Sequence, residues 1–368
     1  MINILFVAPI SGNGGIQSWV KKFLVKFSSE DIQIDHQDVS QRRSSYTGWS
    51  IRKRTIDGFK DLFDIKMDVE KILSEKHYDI LYTTTSGSIG SYRDIILGKI
   101  ARKHNVKTIL HCHYGCLINN YNNKGVVGWL LRKSLMYYDQ IWVLDRNTLN
   151  FLNGKEEYKG KVFLTPNFID VPDTYIPNKK EYKRMAYVGN LLTEKGIFDT
   201  IRAVKNPDCN IEFDIVGPGT DDVKSEMMEL IGDELNKKIK VLGKLPNHEA
   251  VEFMKTVDII ALPTYFHSEA FPISILEAMS LGKFIISTRR AAIPDMLTDL
   301  EGNDCGYFVR EQNSDDIVEA IKWCQANKEL ADSRCSKAYE KVKACYDTHI
   351  VMDIYKSLFL KLIQKSKI

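Results

Sequence analysis

The 368 residues, 44% hydrophobic and 27% charged, describe a globular chain long enough for two cores, which excludes a disordered or fibrous protein. No stretch approaches the roughly 20 uninterrupted apolar residues of a membrane-spanning helix, and Met1–Pro9 reads as a buried first strand rather than a signal peptide. Seven cysteines, an odd number spread through the chain, argue for a reducing cytoplasm and against a disulfide framework. The formal charge is +3, yet residues 1–180 hold 26 Lys and Arg against 18 Asp and Glu, and residues 181–368 hold 25 against 30. A basic first half suits an anionic partner, such as a phosphorylated ligand or a lipid surface, and equally a scatter of solvated lysines.

Short apolar runs followed by amphipathic stretches recur throughout, the pattern of parallel sheets covered by helices. Strands are predicted in the first half at Asn3–Ala8, Ile32–Asp35, Asp79–Thr84, Lys107–His111, Gln140–Leu144 and Lys161–Thr165. In the second half they are predicted at Arg184–Gly189, Glu212–Val216, Ile239–Gly243, Asp258–Pro263, Lys283–Ser287 and Gly306–Val309. Most are continuous apolar runs, as strands buried on both faces are. Two sets of six predict an α/β chain of two Rossmann-like, doubly wound domains. The join falls in Thr165–Arg184, which carries Pro166, Pro172 and Pro177.

The first turn, Ser11-Gly12-Asn13-Gly14-Gly15-Ile16-Gln17, lies between a strand and a helix, where glycines and helical N–H groups favour an anion. A dinucleotide fingerprint needs a third glycine where Gln17 stands, so nicotinamide binding is weakly supported, although Asp35 is suitably spaced for a ribose. The turn is read as a phosphate-approach loop or simply a tight βα turn. His111-Cys112-His113-Tyr114-Gly115-Cys116 contains zinc-ligand residue types, but strand alternation sends His111 and Cys112 to opposite faces, so no metal is expected.

In the second half, Gly189 ends a strand and Lys195-Gly196 opens the next helix, where a lysine opposes the helix dipole unless an anion joins it. The segment Leu262–Gly282 is the most informative. Glu269 sits in a loop, Pro272 suits a helix start, Gly282 suits its C-cap, and Glu277 projects near the helix N-terminus. Two acids thus flank a helix start able to hold phosphates. The plainer reading is that both acids complement the dipole.

Five features occur in order: the Gly14-Gly15 loop, the turn Gly189–Gly196, Phe213-Asp214-Ile215-Val216-Gly217-Pro218-Gly219, the pair Glu269/Glu277, and Cys305-Gly306-Tyr307-Phe308-Val309. In these the chain resembles retaining glycosyltransferases of family 4, most densely in residues 184–310. The resemblance implies the GT-B fold, two Rossmann-like domains facing across a cleft. Its domains would be an acceptor domain at 1–170, a sugar-nucleotide donor domain at 171–345, and a C-terminal helix at 346–368 packing back on the first. It further implies that Lys195 pairs with the donor diphosphate and that Glu269 contacts the transferred sugar. The amides of Ala270 and Phe271 would hold its phosphate, Glu277 the ribose, and the amides of Gly14 and Gly15 would close on the phosphates. His111, or His113 in an alternative alignment, would lie near the reacting sugar. Gly189 and Asn190 belong to the donor loop, and the base would meet backbone near Gly243-Lys244-Leu245.

Two departures stand out: Asn190 replaces the family's usual Arg, and Pro272 removes one phosphate-binding N–H. The expected activity is metal-independent, retaining transfer from a UDP- or GDP-linked sugar, with no cofactor and no nucleic acid. The acceptor would be a saccharide or lipid-diphosphate-linked glycan in surface or extracellular polysaccharide synthesis. The expected location is the cytoplasm or the inner face of the membrane, with Arg42-Arg43 and Arg52-Lys53-Arg54 toward the acceptor. The apolar segment Ile350–Lys367 would pack on the first domain, or else lie at a membrane interface. The rivals are a non-catalytic partner of another transferase, favoured by Asn190, and a nicotinamide oxidoreductase, disfavoured by Gln17.

Overall fold

The computed structural model describes residues 1–12, 14–40, 51–87, 90–175 and 181–364, without the side chains of 51–55. Asn13, Arg42-Arg43, Pro177, the side chains of Arg52-Lys53-Arg54, and Lys365 and Lys367 lie outside the described residues. The chain divides into two units, one of Met1–Pro166 with Val351–Ile368 and one of Asn167–Ile350.

The first unit carries β1 (Ile2–Ala8), β2 (Ile32–Asp38), β3 (Ile80–Thr85), β4 (Lys107–Cys112), β5 (Gln140–Val143) and β6 (Val162–Leu164), all parallel, in the order β2-β1-β3-β4-β5-β6. The second carries β7 (Arg184–Val188), β8 (Glu212–Val216), β9 (Ile239–Gly243), β10 (Ile259–Leu262), β11 (Phe284–Ser287) and β12 (Tyr307–Phe308), also parallel. Its order is β12-β11-β10-β7-β8-β9. Each predicted strand is present within one or two residues at either end, except β2, which runs three residues further. The central strands are buried along their length, as continuous Val, Ile, Leu and Phe runs between helices require.

The sequence reading places the first join after residue 170, whereas the units separate after Pro166. The reason is local bonding. Asn167 donates through Nδ2 to the Phe271 carbonyl at 3.1 Å, and Thr348 Oγ1 donates to Asp170 Oδ1 at 2.8 Å, so 167–170 are tied into the second unit. The helix Thr348–Gln364 supplies core to the first unit through its last turns. Tyr355 stacks on Trp142 at 5.2 Å, Phe359 packs against Tyr82 and Trp142, and the Tyr355 hydroxyl donates to the Pro166 carbonyl. Val351, Tyr355, Phe359 and Leu362 are all buried there, which takes the apolar face that an interfacial helix would have to expose.

Strand order fixes where a ligand can sit. In the second sheet β7 has β8 on one side and β10 on the other, so the chain reverses its direction of winding between β7 and β10. The crevice outside the carboxyl ends of those two strands is the topological switch point, where open α/β sheets bind ligands.

Candidate functional site

The loops leaving β7 and β10 meet at that switch point. After β7, Gly196 takes φ +79, and a Cβ there would lie 2.4 Å from the Pro263 carbonyl oxygen. Only glycine lets the two loops come this close. The Tyr265 N–H donates to the Glu194 carbonyl at 2.7 Å and locks them together. Gly217, at φ +153, approaches Gly189 so closely that a Cβ would fall 1.7 Å from its carbonyl oxygen. The turn Gly189–Gly196 is thereby clamped from both neighbouring strands.

The sequence places Lys195 at the opening of a helix. It ends instead a short 3-10 turn, Thr193–Lys195, and Gly196 is the N-cap of the following helix, Ile197–Lys205. The conflict between its charge and its position is resolved by a carboxylate, since Lys195 Nζ lies 3.0 Å from Glu269 Oε2. The pair is largely buried, with the lysine side chain 17% and the glutamate 7% exposed. Thr264 Oγ1 also donates to Glu269 Oε2 at 3.2 Å, and the Lys195 ammonium sits 5.7 Å from the Phe266 ring centre. Burial, and secondarily the Glu269 charge, pushes the nearby Tyr187 phenol well above its usual range, so it stays protonated. Its hydroxyl donates to the Asn190 carbonyl at 2.6 Å and holds the loop while the Asn190 side chain faces solvent.

The loop continues into the helix Ile273–Ser280, with Pro272 as N-cap. Among the described residues the amides of Ala270 and Phe271 donate to no protein acceptor, while the Ala270 carbonyl accepts from the Ala292 N–H at 3.1 Å. Two N–H groups and an uncapped helix start therefore open at one place, beside the Lys195–Glu269 pair. Glu277 is buried, and its Oε1 accepts from Asn247 Nδ2 at 2.9 Å. Asn247 follows the β9 loop by two residues from Leu245, which is half-buried, so the proposed base and ribose positions are adjacent. Gly282 is not the C-cap: Leu281 is, and Gly282, at φ +61, is the residue after it. Its N–H donates to Met279 and that of Lys283 to Ala278, a Schellman closure.

The second unit thus brings together Gly189, Asn190, Lys195, Leu245, Ala270, Phe271, Glu269 and Glu277. It adds Thr264, Asn247 and Asn167, which hold the acids and the Phe271 carbonyl. Neutral polar residues of this kind leave no pattern in a sequence, because their role depends on partners 5 to 104 positions away.

Gly14, Gly15 and the histidines belong to the first unit and are placed by its own fold. Gly14 caps the helix Gly15–Lys26, and both glycines are exposed. A Cβ on Gly14 would lie 2.3 Å from Gln17 Oε1, so the Gln17 side chain covers part of the loop that a third glycine would leave open. Asp35, a possible ribose ligand, is taken by Lys76 and Tyr78, and the Lys76 bond chiefly holds its carboxyl below the usual range. Both findings weigh against nicotinamide binding.

His111 is fully buried, with Nδ1 2.8 Å from the Tyr82 hydroxyl, Nε2 3.2 Å from Thr165 Oγ1, and its ring centre 3.9 Å from that of His113. Burial, reinforced by His113, drives its pKa well below the ordinary imidazole range. His113 lies on the same face and is partly exposed, but its Nε2 is buried without a partner and burial lowers its pKa to about 3. Cys112, pointing the other way, joins the cluster of Tyr114, Cys116 and Tyr138. Among the described residues no group of three His, Cys, Asp or Glu side chains is placed to hold a metal ion.

Residues 175–341 match the family of glycosyl transferases group 1. The matched segment is less than half of the chain. It includes every second-unit site residue named above except Asn167. The amylovoran biosynthesis glycosyltransferase AmsK of Erwinia amylovora is 26% identical over 146 residues, covering 38% of this chain and 35% of AmsK. The chain spans less than half the length of the curated relatives it matches. Sucrose-phosphate synthase of Thermosynechococcus elongatus matches with a TM-score of 0.75 at 13% identity, over 99% of this chain and all of that one. Anabaena Alr3699/HepE, solved in complex with UDP, matches at 0.69 and 14% identity, over 97% and 99%. The fold is GT-B, two α/β units each built on a six-stranded parallel sheet.

Proposed function

We propose that this chain transfers a sugar from a nucleotide-sugar donor to a saccharide or lipid-linked acceptor in polysaccharide synthesis. The observation that carries the proposal is the Lys195–Glu269 pair beside the open amides of Ala270 and Phe271, at the switch point of the group 1 unit. In this reading the donor's diphosphate competes with Glu269 for the Lys195 ammonium, and the two amides donate to its outer phosphate. Released from the lysine, Glu269 accepts hydrogen bonds from sugar hydroxyls, and Glu277, oriented by Asn247, accepts from the ribose. The solved complex of Alr3699/HepE with UDP supports a uridine diphosphate as the leaving group. Polysaccharide synthesis is supported by AmsK.

The chemistry proposed is front-face substitution with retention. The acceptor oxygen bonds to the anomeric carbon on the side from which the diphosphate leaves, and the acceptor proton passes to the departing phosphate oxygen. Lys195, the amides and the helix start stabilise the charge that grows on the diphosphate, without a metal ion. The reaction would take place in the cytoplasm, at or near the inner face of the membrane.

The test is release of nucleoside diphosphate from a panel of UDP-, GDP- and ADP-sugars by the purified full chain, with and without saccharide acceptors. Slow hydrolysis of one donor is expected. No release from any donor, together with no nucleotide binding, would favour a non-catalytic partner.

A further inference from the structure

Three neighbouring helices of the first unit bury one apolar face and expose further apolar side chains beside basic ones. On the helix Ile51–Glu75, the outward positions between 56 and 71 are Ile56, Phe59, Phe63 and Met67, interleaved with Lys60, Lys66 and Lys71. No acid is among them. Asp57 and Asp61 are buried, and Asp64, Asp68 and Glu70 are half-buried. Ile65, Val69 and Leu73 of the same helix turn to the core as usual, so the exposed residues form a second apolar row on the outer side, and Glu75 beyond it pairs with Lys71. Phe59 and Phe63 are 62% and 60% exposed, a large cost for side chains of this type if water is their only neighbour.

The pattern continues on the elements alongside. The helix Ser91–Lys103, packed against the first, exposes Tyr92, Lys99, Arg102 and Lys103. The helix Val126–Leu135, packed against the second, exposes Val126, Trp129 and Lys133, and Met136 follows. Tyr137 ties these two together, with the Arg102 guanidinium 4.6 Å and the Lys133 ammonium 5.9 Å from its ring centre. Between the first two helices runs a groove of about 530 Å³, lined by Phe59, Phe63 and Tyr92 together with Lys66, Lys99 and Lys103. Glu70, which also lines it, is paired with Lys103. Over the three helices the exposed described positions named here are eight apolar or aromatic and seven basic.

We infer that this face is a docking surface for an anionic lipid bilayer. Interfacial helices combine a row of apolar and aromatic side chains, which enter the boundary between headgroups and acyl chains, with Lys and Arg that meet lipid phosphates. An acidic protein or a nucleic acid would use the cations but leave Ile56, Val126, Met67 and Met136 without a role. A second copy of the chain would set seven cations against seven. The inference stands apart from the donor site, since it would hold whether or not the second unit transfers sugar.

The experiment is sedimentation of the full chain with vesicles of equimolar phosphatidylglycerol and phosphatidylcholine, or of phosphatidylcholine alone. Recovery with the anionic vesicles, weakened by salt, is expected. Phe59→Ser with Phe63→Ser, and separately Lys66→Glu with Lys99→Glu, should each weaken binding about tenfold or more. Both pairs are on the surface, so an unchanged melting temperature and unchanged nucleotide affinity show that fold and donor site are intact. The blue shift of tryptophan emission on vesicles should be lost in Trp129→Phe, which touches neither pair. Equal recovery with neutral and anionic vesicles, insensitivity to both pairs, or a concentration-dependent dimer abolished by the phenylalanine pair would overturn the inference.

Discussion

Lys195 and Glu269 each make the other tolerable in a low-dielectric site, and this changes what removing the lysine should do. A lysine standing in water at a helix start contributes little to folding. One that is 17% exposed and 3.0 Å from a buried carboxylate does not behave that way. Lys195→Ala leaves Glu269 with the Thr264 hydroxyl as its side-chain donor, so the fold should lose about 3 kcal/mol, as broken buried pairs do. Turnover should fall by a factor of about 10² to 10³ if the ammonium serves the diphosphate. Lys195→Met combined with Glu269→Gln should regain most of the stability and none of the activity. Denaturant titration of the single and double variants decides this, and a double variant no more stable than Lys195→Ala would count against a coupled pair. The two histidines give a second expectation. Unfolded, each titrates near 6.5; folded, both remain neutral far below that, because burial penalises the imidazolium. The unfolded chain therefore binds more protons below pH 6.5, and stability is lost as pH falls from 6.5 toward about 3 for His113 and further for His111. The slope approaches about 1.4 kcal/mol per pH unit for each neutral ring. His113→Gln should flatten the dependence of the midpoint of unfolding between pH 7 and 5, and an unchanged slope would remove His113 from the account.

At the scale of elements, the apolar runs were enough to place all twelve strands, because a parallel strand buried on both faces cannot alternate. Strand order was not legible, nor was the switch point between β7 and β10, since neither depends on any one segment. The E-x7-E spacing and the Lys-Gly turn pointed to the site; that Lys195 and Glu269 bond directly did not follow, because the loop conformation that joins them is set by Gly196 and by the Glu194–Tyr265 bond. The family resemblance is what implies a place near the reacting sugar for His111; that Tyr82 and Thr165 bond its two ring nitrogens was not legible, because those partners lie 29 and 54 residues away. The outward apolar stripe of 56–67 also escaped the sequence. Ile65, Val69 and Leu73 already supply the core-facing stripe, and periodicity does not say that the second apolar row meets solvent. Gly196 tests the element-scale argument. Gly196→Ala would force a left-handed residue and place a methyl 2.4 Å from the Pro263 oxygen, so the loops after β7 and β10 must part. A loss of about 2 kcal/mol or more is expected, combining the left-handed penalty with the displacement. Urea unfolding measures it, and a change under about 0.5 kcal/mol, the range of ordinary surface substitutions, would mean the approach is looser than described.

For the molecule as a whole, the donor-site residues proposed above from Gly189 to Glu277 are carried by one compact unit, and this has a thermodynamic consequence. A nucleoside diphosphate that binds only the native state stabilises it by about 2.7 kcal/mol at 100 times its dissociation constant. Local openings that expose the site are suppressed by the same free energy, whereas openings elsewhere are not, because they leave the ligand contacts intact. Hydrogen exchange with saturating UDP should therefore slow in peptides spanning 189–196 and 264–277. Exchange should be little changed at the edge strand β2 or at the lysine-rich outer helices. Excess EDTA should alter neither the protection nor the rise in melting temperature, since the charges assigned to the diphosphate come from Lys195 and from backbone amides. Protection confined to the first unit would place the nucleotide at the Gly14-Gly15 loop and remove the role given to Lys195. Protection in the second unit that vanishes with EDTA and returns with a divalent ion would keep the site but replace its chemistry.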